Sequence, residues 1–340
     1  MNANSQPPPE SAPPPRIWTP LDLINWTKSF FEKKGLESPR LEAELLLAEV
    51  LGCARIRLYV DFEKPVDAPA LAKFRDFVKR RGEKREPLQY IVGHTQFVDL
   101  KIKVTPAALI PRPETEILAV WAVDRATEIA TGTPHKPEPL DTPAPPVRVL
   151  DLCTGTGCVA LYVASKIPSA RVIATDISKE ALALAAENAL ALKQDARVVF
   201  LQGDLFAALN DSAETEPFDI IVANPPYVDE NSRAALQPEV RDFEPARALF
   251  SGESGMAIAR RILSECDSRL KPGGWIGIEF GADQSESIEE IAQRAGIFDT
   301  VKIEKDGAKL PRFLMARKKP HSVSPEPRTQ VSGLDCPQAR

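Results

Sequence analysis

From residue 147 onward the chain repeats one unit, a short apolar run, a polar turn and a longer stretch with helical spacing, and few folds accommodate that repeat. Candidate strands fall at residues 147–152, 171–175, 198–202, 218–223 and 275–280. Helical runs separate the first three, notably residues 179–192, and residues 256–270 precede the fifth. A strand that returns to its sheet through a helix runs parallel to its predecessor, and such helices cover both faces of the sheet. Residues 301–303 and 313–315 have no helix between them and are expected to pair antiparallel at the end of the sheet. The chain therefore reads as α/β, with a doubly wound, mainly parallel sheet.

In an open sheet of this kind, ligands bind at the carboxyl ends of the strands, beside the point where strand order reverses. The polar residues of this chain fall at those ends. Asp151-Leu152-Cys153-Thr154-Gly155-Thr156-Gly157 follows the first run, Asp176 ends the second, Asp204 follows the third and Asn224 ends the fourth. Glycines at 155 and 157 let the backbone approach a ligand and turn into a helix, while a carboxylate after the second strand can accept from both ribose hydroxyls. These residues predict a nucleoside pocket. The spacing Gly155-x-Gly157-x-x-Ala160 also satisfies the dinucleotide fingerprint of nicotinamide enzymes, so the fourth strand has to decide. Asn224-Pro225-Pro226-Tyr227 offers an amide, backbone carbonyls and an aromatic face on a stiff turn, and neither proline adds an N–H. Such a turn suits a substrate that brings N–H groups, not a hydride acceptor.

The first half of the chain is different in character. Residues 1–18 are Pro-rich and aperiodic, the composition of a disordered arm. Thr19-Pro20-Leu21-Asp22 caps a first helix that Gly35 closes, and Ser38-Pro39 opens a second with Leu41, Leu45, Ala48 and Leu51 on one face. Leu71, Phe74, Val78 and Arg81 mark another helix that stops at Gly82, which gives a helical domain over residues 19–85. Residues 86–108 read as a β-hairpin linker, residues 88–92 pairing with the alternating run 98–104 across Gly93-His94. Arg112, bracketed by Pro111 and Pro113 at a helix start, either faces an anionic group or pairs with an acid. Residues 131–146 break all periodicity and read as an exposed Pro-rich loop, and residues 318–340 as a disordered tail.

Composition excludes several classes. A net charge of −5 argues against a broad basic face for nucleic acid. Five cysteines without Cys-x-x-Cys spacing read as reduced thiols, and the scattered His94, His135 and His321 predict no metal centre. With neither a membrane-length apolar run nor a signal core, the expected location is the cytoplasm.

Taken together, these residues resemble a known family, the S-adenosylmethionine-dependent methyltransferases that modify a glutamine side-chain nitrogen in peptide chain release factors. The resemblance runs over residues 86–317 and weakly includes the helical domain. It rests on Glu86-Pro87-Leu88-Gln89-Tyr90-Ile91 with Gly93, on Leu109-Ile110-Pro111-Arg112-Pro113-Glu114-Thr115-Glu116 and on Asp151 to Gly157. Asn224 to Tyr227, Phe243-Glu244-Pro245 with Ala248-Leu249, and Pro311-Arg312-Phe313 complete it. Asn-Pro-Pro-Tyr alone is shared with amino-methyltransferases acting on DNA adenine and on other proteins, and the Pro-Arg-Pro-Glu-Thr-Glu block makes the match specific.

The resemblance implies a seven-stranded Rossmann-like methyltransferase domain over residues 109–317, with S-adenosyl-L-methionine as cofactor. It assigns Cys153, Thr154, Gly155, Thr156 and Gly157 to the methionine end, Asp176 to the ribose, and Asp204 with Leu205 to the adenine, with Asp151 also among the cofactor-binding residues. Asn224, Pro225, Pro226 and Tyr227 would hold the acceptor, Asn224 bordering the cofactor as well, with Arg112 on the substrate side. Cys153 stands where many relatives have glycine, and Leu205 where some have an aromatic residue. The implied partner is a release factor, met through the helical domain, with no membrane and no direct nucleic-acid binding. Alternatives are a glutamine in another protein, such as a ribosomal protein, or a nucleic-acid adenine, which would need a basic channel.

Overall fold

The structure, a computed structural model, describes residues 17–131 and 146–320. Nearly all of the Pro-rich arm, of the 131–146 loop and of the C-terminal tail lies outside the described residues. Helix α1 (Pro20–Lys33) opens on a capping box in which the Thr19 side chain accepts from the Asp22 N–H and the Asp22 carboxylate accepts in return. Helix α2 (Pro39–Leu51) ends on Gly52 in the left-handed conformation, and α3 (Arg57–Val60) is a single turn. With α4 (Ala68–Lys84) these pack Ile24, Phe31, Leu46, Leu47, Leu58 and Phe74 into one helical core.

Three local expectations are corrected here. The buried face of α2 is Ala43, Leu46, Leu47 and the expected Ala48, with Leu51 partly buried beside it, while Leu41 and Leu45 are exposed. Apolar residues surround most of that helix, so periodicity alone could not choose the face. Helix α4 runs through Gly82, where the Phe30 ring leaves no room for a Cβ, and stops at Arg85 with φ 60°. Residues 88–92 form a short helix, α5 (Leu88–Val92), not a strand, because Pro87 starts it and Gly93 caps it. The hairpin is instead β1 (His94–Phe97) with β2 (Leu100–Lys103), turning at Val98 and Asp99. Val98 sits at φ 52°, a costly position for a β-branched residue, and its N–H donates to Glu116 Oε1 at 2.9 Å.

Helix α6 (Pro113–Thr131) leads into the large sheet. There β3 (Arg148–Leu152), α7 (Cys158–Lys166), β4 (Arg171–Asp176), α8 (Lys179–Ala191), β5 (Val198–Gln202) and β6 (Phe218–Ala223) alternate as expected. Short helices α9 (Pro238–Phe243) and α10 (Ala246–Leu249) precede α11 (Ala257–Glu265) and β7 (Leu270–Glu279), and α12 (Ser285–Arg294), β8 (Phe298–Lys305) and β9 (Pro311–Lys318) complete the chain. The seven strands run β5-β4-β3-β6-β7-β9-β8, with β5 to β7 parallel to one another and β9 antiparallel to both β7 and β8. Alternate side chains go to opposite layers, as strand geometry requires. Val149, Ile220 and Val222 meet α6 and α7, whereas Leu150, Leu152, Ile221 and Ala223 meet α11 and α12. Strand order reverses between β3 and its two neighbours β4 and β6, which opens the crevice that holds the site. Among the described residues no helix is long and apolar enough to cross a membrane.

Candidate active site

A cavity of about 540 Å³ occupies the crevice, within the range of small-molecule sites. Its lining includes Asp151, Cys153, Thr154, Gly155, Thr156, Asp176, Asp204, Leu205, Asn224 and Pro226. The structure therefore brings to one cavity residues that the sequence scatters over four strand ends. Gly157, Pro225, Tyr227 and Arg112 stand beside that wall and not in it.

The loop after β3 turns by three successive departures into positive φ: Cys153 at 58°, Gly155 at 55° and Gly157 at 79°. Gly157 is required twice over, since a Cβ there would also lie 3.1 Å from the Ala185 Cβ. Cys153 adopts the same region with a side chain, which explains why glycine suits that position. Asp176 holds the loop down, its Oδ2 accepting from the Gly155 N–H at 2.9 Å and its Oδ1 from the Ser178 N–H at 2.9 Å. Burial raises its pKa above the ordinary aspartate value. Asp151 lies deeper; its Oδ2 accepts from Thr154 Oγ1 at 2.6 Å and from the Ala160 N–H at 3.2 Å, and burial pushes its pKa up to about 7. Asn188 fastens the loop to the hairpin, donating from Nδ2 to Thr156 O at 3.0 Å and accepting at Oδ1 from the Lys103 N–H at 2.8 Å.

Asp204 is at the rim and is gripped by Arg261 of α11, Nη1 to Oδ1 at 3.1 Å and Nη2 to Oδ2 at 3.0 Å. Leu205, at φ 51°, is buried in the core of the α11 layer while lining the cavity. The far side of the cavity is built from longer connections. Asn224 Nδ2 donates to Thr115 Oγ1 at 2.9 Å, and Thr115 Oγ1 donates to Glu279 Oε2 at 2.7 Å. Glu279 is 1% exposed, and burial pushes it up to about 7 against the pull of Thr115 and Arg312. The Tyr227 carbonyl accepts from Gln284 Nε2 at 2.8 Å, and burial raises its phenol to about 12, so the ring is neutral.

Arg112 takes the acid-pairing course: its Nη2 donates to Glu244 Oε1 at 2.6 Å, and Glu244 Oε2 also accepts from the Ile110 N–H at 3.2 Å. That clamp fixes the segment after Tyr227 against the start of α6. Thr115, Glu279, Asn188 and Arg261 are the residues that sequence reasoning did not single out. A signal existed for Glu279, the polar residue near the carboxyl end of the fifth apolar run, where the first four runs had already supplied site residues.

The residues fit a nucleoside carrying a positive methyl donor. Asp176 and Asp204 supply carboxylate acceptors, Thr175 Oγ1 is buried without a hydrogen-bond partner in the same lining, and the polar loop backbone allows close approach. A doubly wound sheet with this cavity at its switch point, closed by Asn-Pro-Pro-Tyr, defines the class: a Rossmann-like methyltransferase. Residues 22–93 match the PrmC N-terminal domain, and residues 122–241 match the methyltransferase small domain. The release factor glutamine methyltransferase of Geobacter sulfurreducens is 41% identical, over 84% of this chain and 92% of its own. That of Rhodopirellula baltica is 39% identical, over 88% of this chain and 97% of its own. The chain belongs to the release factor glutamine methyltransferase family. Among solved structures, the hMettl16 catalytic domain in complex with MAT2A 3'UTR hairpin 1 shares the fold, at TM-score 0.50 and 15% identity over 76% of this chain and 83% of that one.

Proposed function

We propose that the protein methylates the side-chain amide nitrogen of the glutamine in the Gly-Gly-Gln motif of peptide chain release factors, with S-adenosyl-L-methionine as donor, in the cytoplasm. The observation that carries this reading is the wall formed by Asn224 and Pro226 at one end of a nucleoside-sized cavity, in a chain whose relatives bear that activity as their name. When bound, S-adenosylmethionine supplies a sulfonium-activated methyl group, and transfer forms an N–C bond as the S–C bond breaks, the surplus amide proton passing to water.

The work left to the protein is orientation. An amide nitrogen is a poor nucleophile because its lone pair is delocalised into the carbonyl. Asn224 Oδ1 and the Pro225 carbonyl each accept one N–H of the substrate amide, which points the nitrogen along one line and leaves no ionised base in the scheme. Tyr227 packs its neutral ring on the flat amide. On the donor side Asp176 accepts from the ribose hydroxyls while its bonds to Gly155 and Ser178 keep it in place. Asp204 accepts from the adenine amino group and shares its carboxylate with Arg261. Asp151, Cys153, Thr154 and Thr156 surround the methionine end, and Leu205 packs on the base.

Substrate choice falls to the helical domain and to the segment after Tyr227. Arg81 ties them together, binding Glu42 of α2 at 2.5 Å and Glu239 of α9 at 2.8 Å, and Arg85 reaches the same Glu239 at 2.8 Å. Arg112 acts from behind through Glu244 and not by touching the substrate amide. Labelled S-adenosylmethionine incubated with a release factor, its Gly-Gly-Gln glutamine intact or replaced, tests the reading. Label should appear only on the intact protein; equal labelling of both would overturn the assignment.

A further inference from the structure

Asn224 carries an amide whose two ends are opposite in character, and only one of them can serve a substrate N–H. With Oδ1 toward the acceptor the contact is a hydrogen bond; with Nδ2 there, two donors face each other. Asn224 holds no ionisable group of its own that selects the orientation. The selection has to come from what it touches on its other side.

There the bonds run in one direction. The Thr115 hydroxyl has a single hydrogen, and it is committed to Glu279 Oε2 at 2.7 Å. Its oxygen can then only accept from Asn224, which places Nδ2 on Thr115 at 2.9 Å and leaves Oδ1 for the acceptor. Glu279, near the end of β7, is the fixed terminus of the chain. Around it stand Arg112 and Glu114 at the start of α6, Arg312 of β9, Tyr227 after β6 and Cys158 of α7. We propose that Glu279, acting through Thr115, is a positioning residue for methyl transfer, holding the Asn224 amide in the one orientation that accepts the substrate nitrogen.

The direction of this chain depends on the state of Glu279. As a carboxylate it only accepts. Protonated, it can donate to Thr115 Oγ1, the hydroxyl can turn to Asn224 Oδ1, and Nδ2 then meets the substrate. Because burial places Glu279 near neutrality, the orienting effect strengthens as pH rises through about 7 and is lost below it.

The inference rests on the reading of Asn224 as the acceptor ligand, and a set of variants separates the two. Turnover with release factor at saturating cofactor, together with the affinity for S-adenosylhomocysteine, is measured for Thr115→Val, Thr115→Ser, Glu279→Gln and Asn224→Ala. Thr115→Val is expected to lower kcat by about 10- to 100-fold with unchanged cofactor affinity, the range found when an orienting partner is removed. Thr115→Ser, which keeps the hydroxyl, should stay within about threefold of the parent. Glu279→Gln should lose the acid limb of the kcat profile that the parent shows near neutrality, since Asp151 is common to both proteins. If Asn224→Ala is inactive while Thr115→Val turns over at the parent rate, the relay is wrong and the acceptor reading stands. Full activity of Asn224→Ala removes the acceptor reading and the relay with it. Loss of cofactor affinity in step with kcat for Thr115→Val makes the hydroxyl structural and also overturns the proposal.

Discussion

The donor half of the cavity is centred on a loop whose own bonds are short in sequence, with longer ties at its edges from Asn188 to Lys103 across 85 residues and from Arg261 to Asp204 across 57, whereas the Asn224 side is assembled from stretches farther apart still. Thr154 reaches Asp151 across three residues, and Gly155 reaches Asp176 across 21. Asn224 reaches Thr115 across 109, and Thr115 reaches Glu279 across 164. The centre of the donor half is thus a loop that folds largely on itself once β3 and β4 pair, and Asn188 and Arg261 fasten its edges. The acceptor half exists only when α6, β6 and β7 have docked. It follows that lesions on one side should leave the other nearly intact.

Apart from loss of Asn224 itself, the largest effect is expected at Gly255. Its φ is 65°, and a Cβ there would collide with the Tyr227 carbonyl that Gln284 holds. Gly255→Ala must displace the acceptor turn, and single-turnover methyl transfer should fall by about 100-fold or more, since misplacing a reacting group by ~1 Å costs that much. S-adenosylhomocysteine titrated by calorimetry should bind as before. A parallel loss of affinity would mean that the halves are one unit.

On the donor side, Asp176→Ala removes the tie on Gly155 and Ser178 and, on the proposed reading, the acceptor for two ribose hydroxyls. Cofactor affinity should weaken by roughly 30- to 100-fold, about two charge-assisted bonds less the help of water. The rate at saturating cofactor should change by less than about fivefold, which rapid-quench kinetics can read.

A smaller effect concerns pH. Asp151 has its folded pKa raised to about 7 from an ordinary 3.8, so the folded state binds more protons between those values. Its contribution to stability is complete below the lower value and is lost as pH rises through the upper one, at a slope of at most about 1.4 kcal/mol per pH unit. Asp151→Asn can still accept from Thr154 and Ala160 and should flatten that decline. Denaturant melts from pH 4 to 8 would show the two proteins diverging with rising pH; parallel curves would contradict the assignment. The smallest change is Cys153→Gly, which relieves a side chain at φ 58° and should raise stability by about 1 kcal/mol with cofactor affinity unchanged.

The same contrast decides what the sequence could disclose. Glycine spacing, a carboxylate at each of the first three strand ends and the Asn-Pro-Pro-Tyr turn are local patterns, so the donor loop, the mainly parallel sheet and Asn224 itself could be read from them. Residues 198–202, at the sheet edge, and the buried residues 218–223 form strands with the expected bounds because each is a short apolar run with turns on either side. Residues 88–92 are misread because a short, mostly apolar stretch suits a helix turn or a strand equally, and Pro87 and Gly93 settle it. The α2 face failed because most of its circumference is apolar. Thr115 and Glu279 carry no local pattern that joins them; only the docking of α6 beside β6 and β7 does. Arg112 had two readings, and its partner Glu244 lies 132 residues away.

The independence of the halves is tested most directly by Asn224→Ala, measured twice on one preparation: S-adenosylhomocysteine affinity by calorimetry and single-turnover methylation of a release factor. Affinity within about threefold of the parent with transfer slowed by about 100- to 1000-fold is the predicted result, the scale of losing one aimed hydrogen bond to the reacting group. Transfer at the parent rate, or affinity that falls as far as the rate, would contradict it.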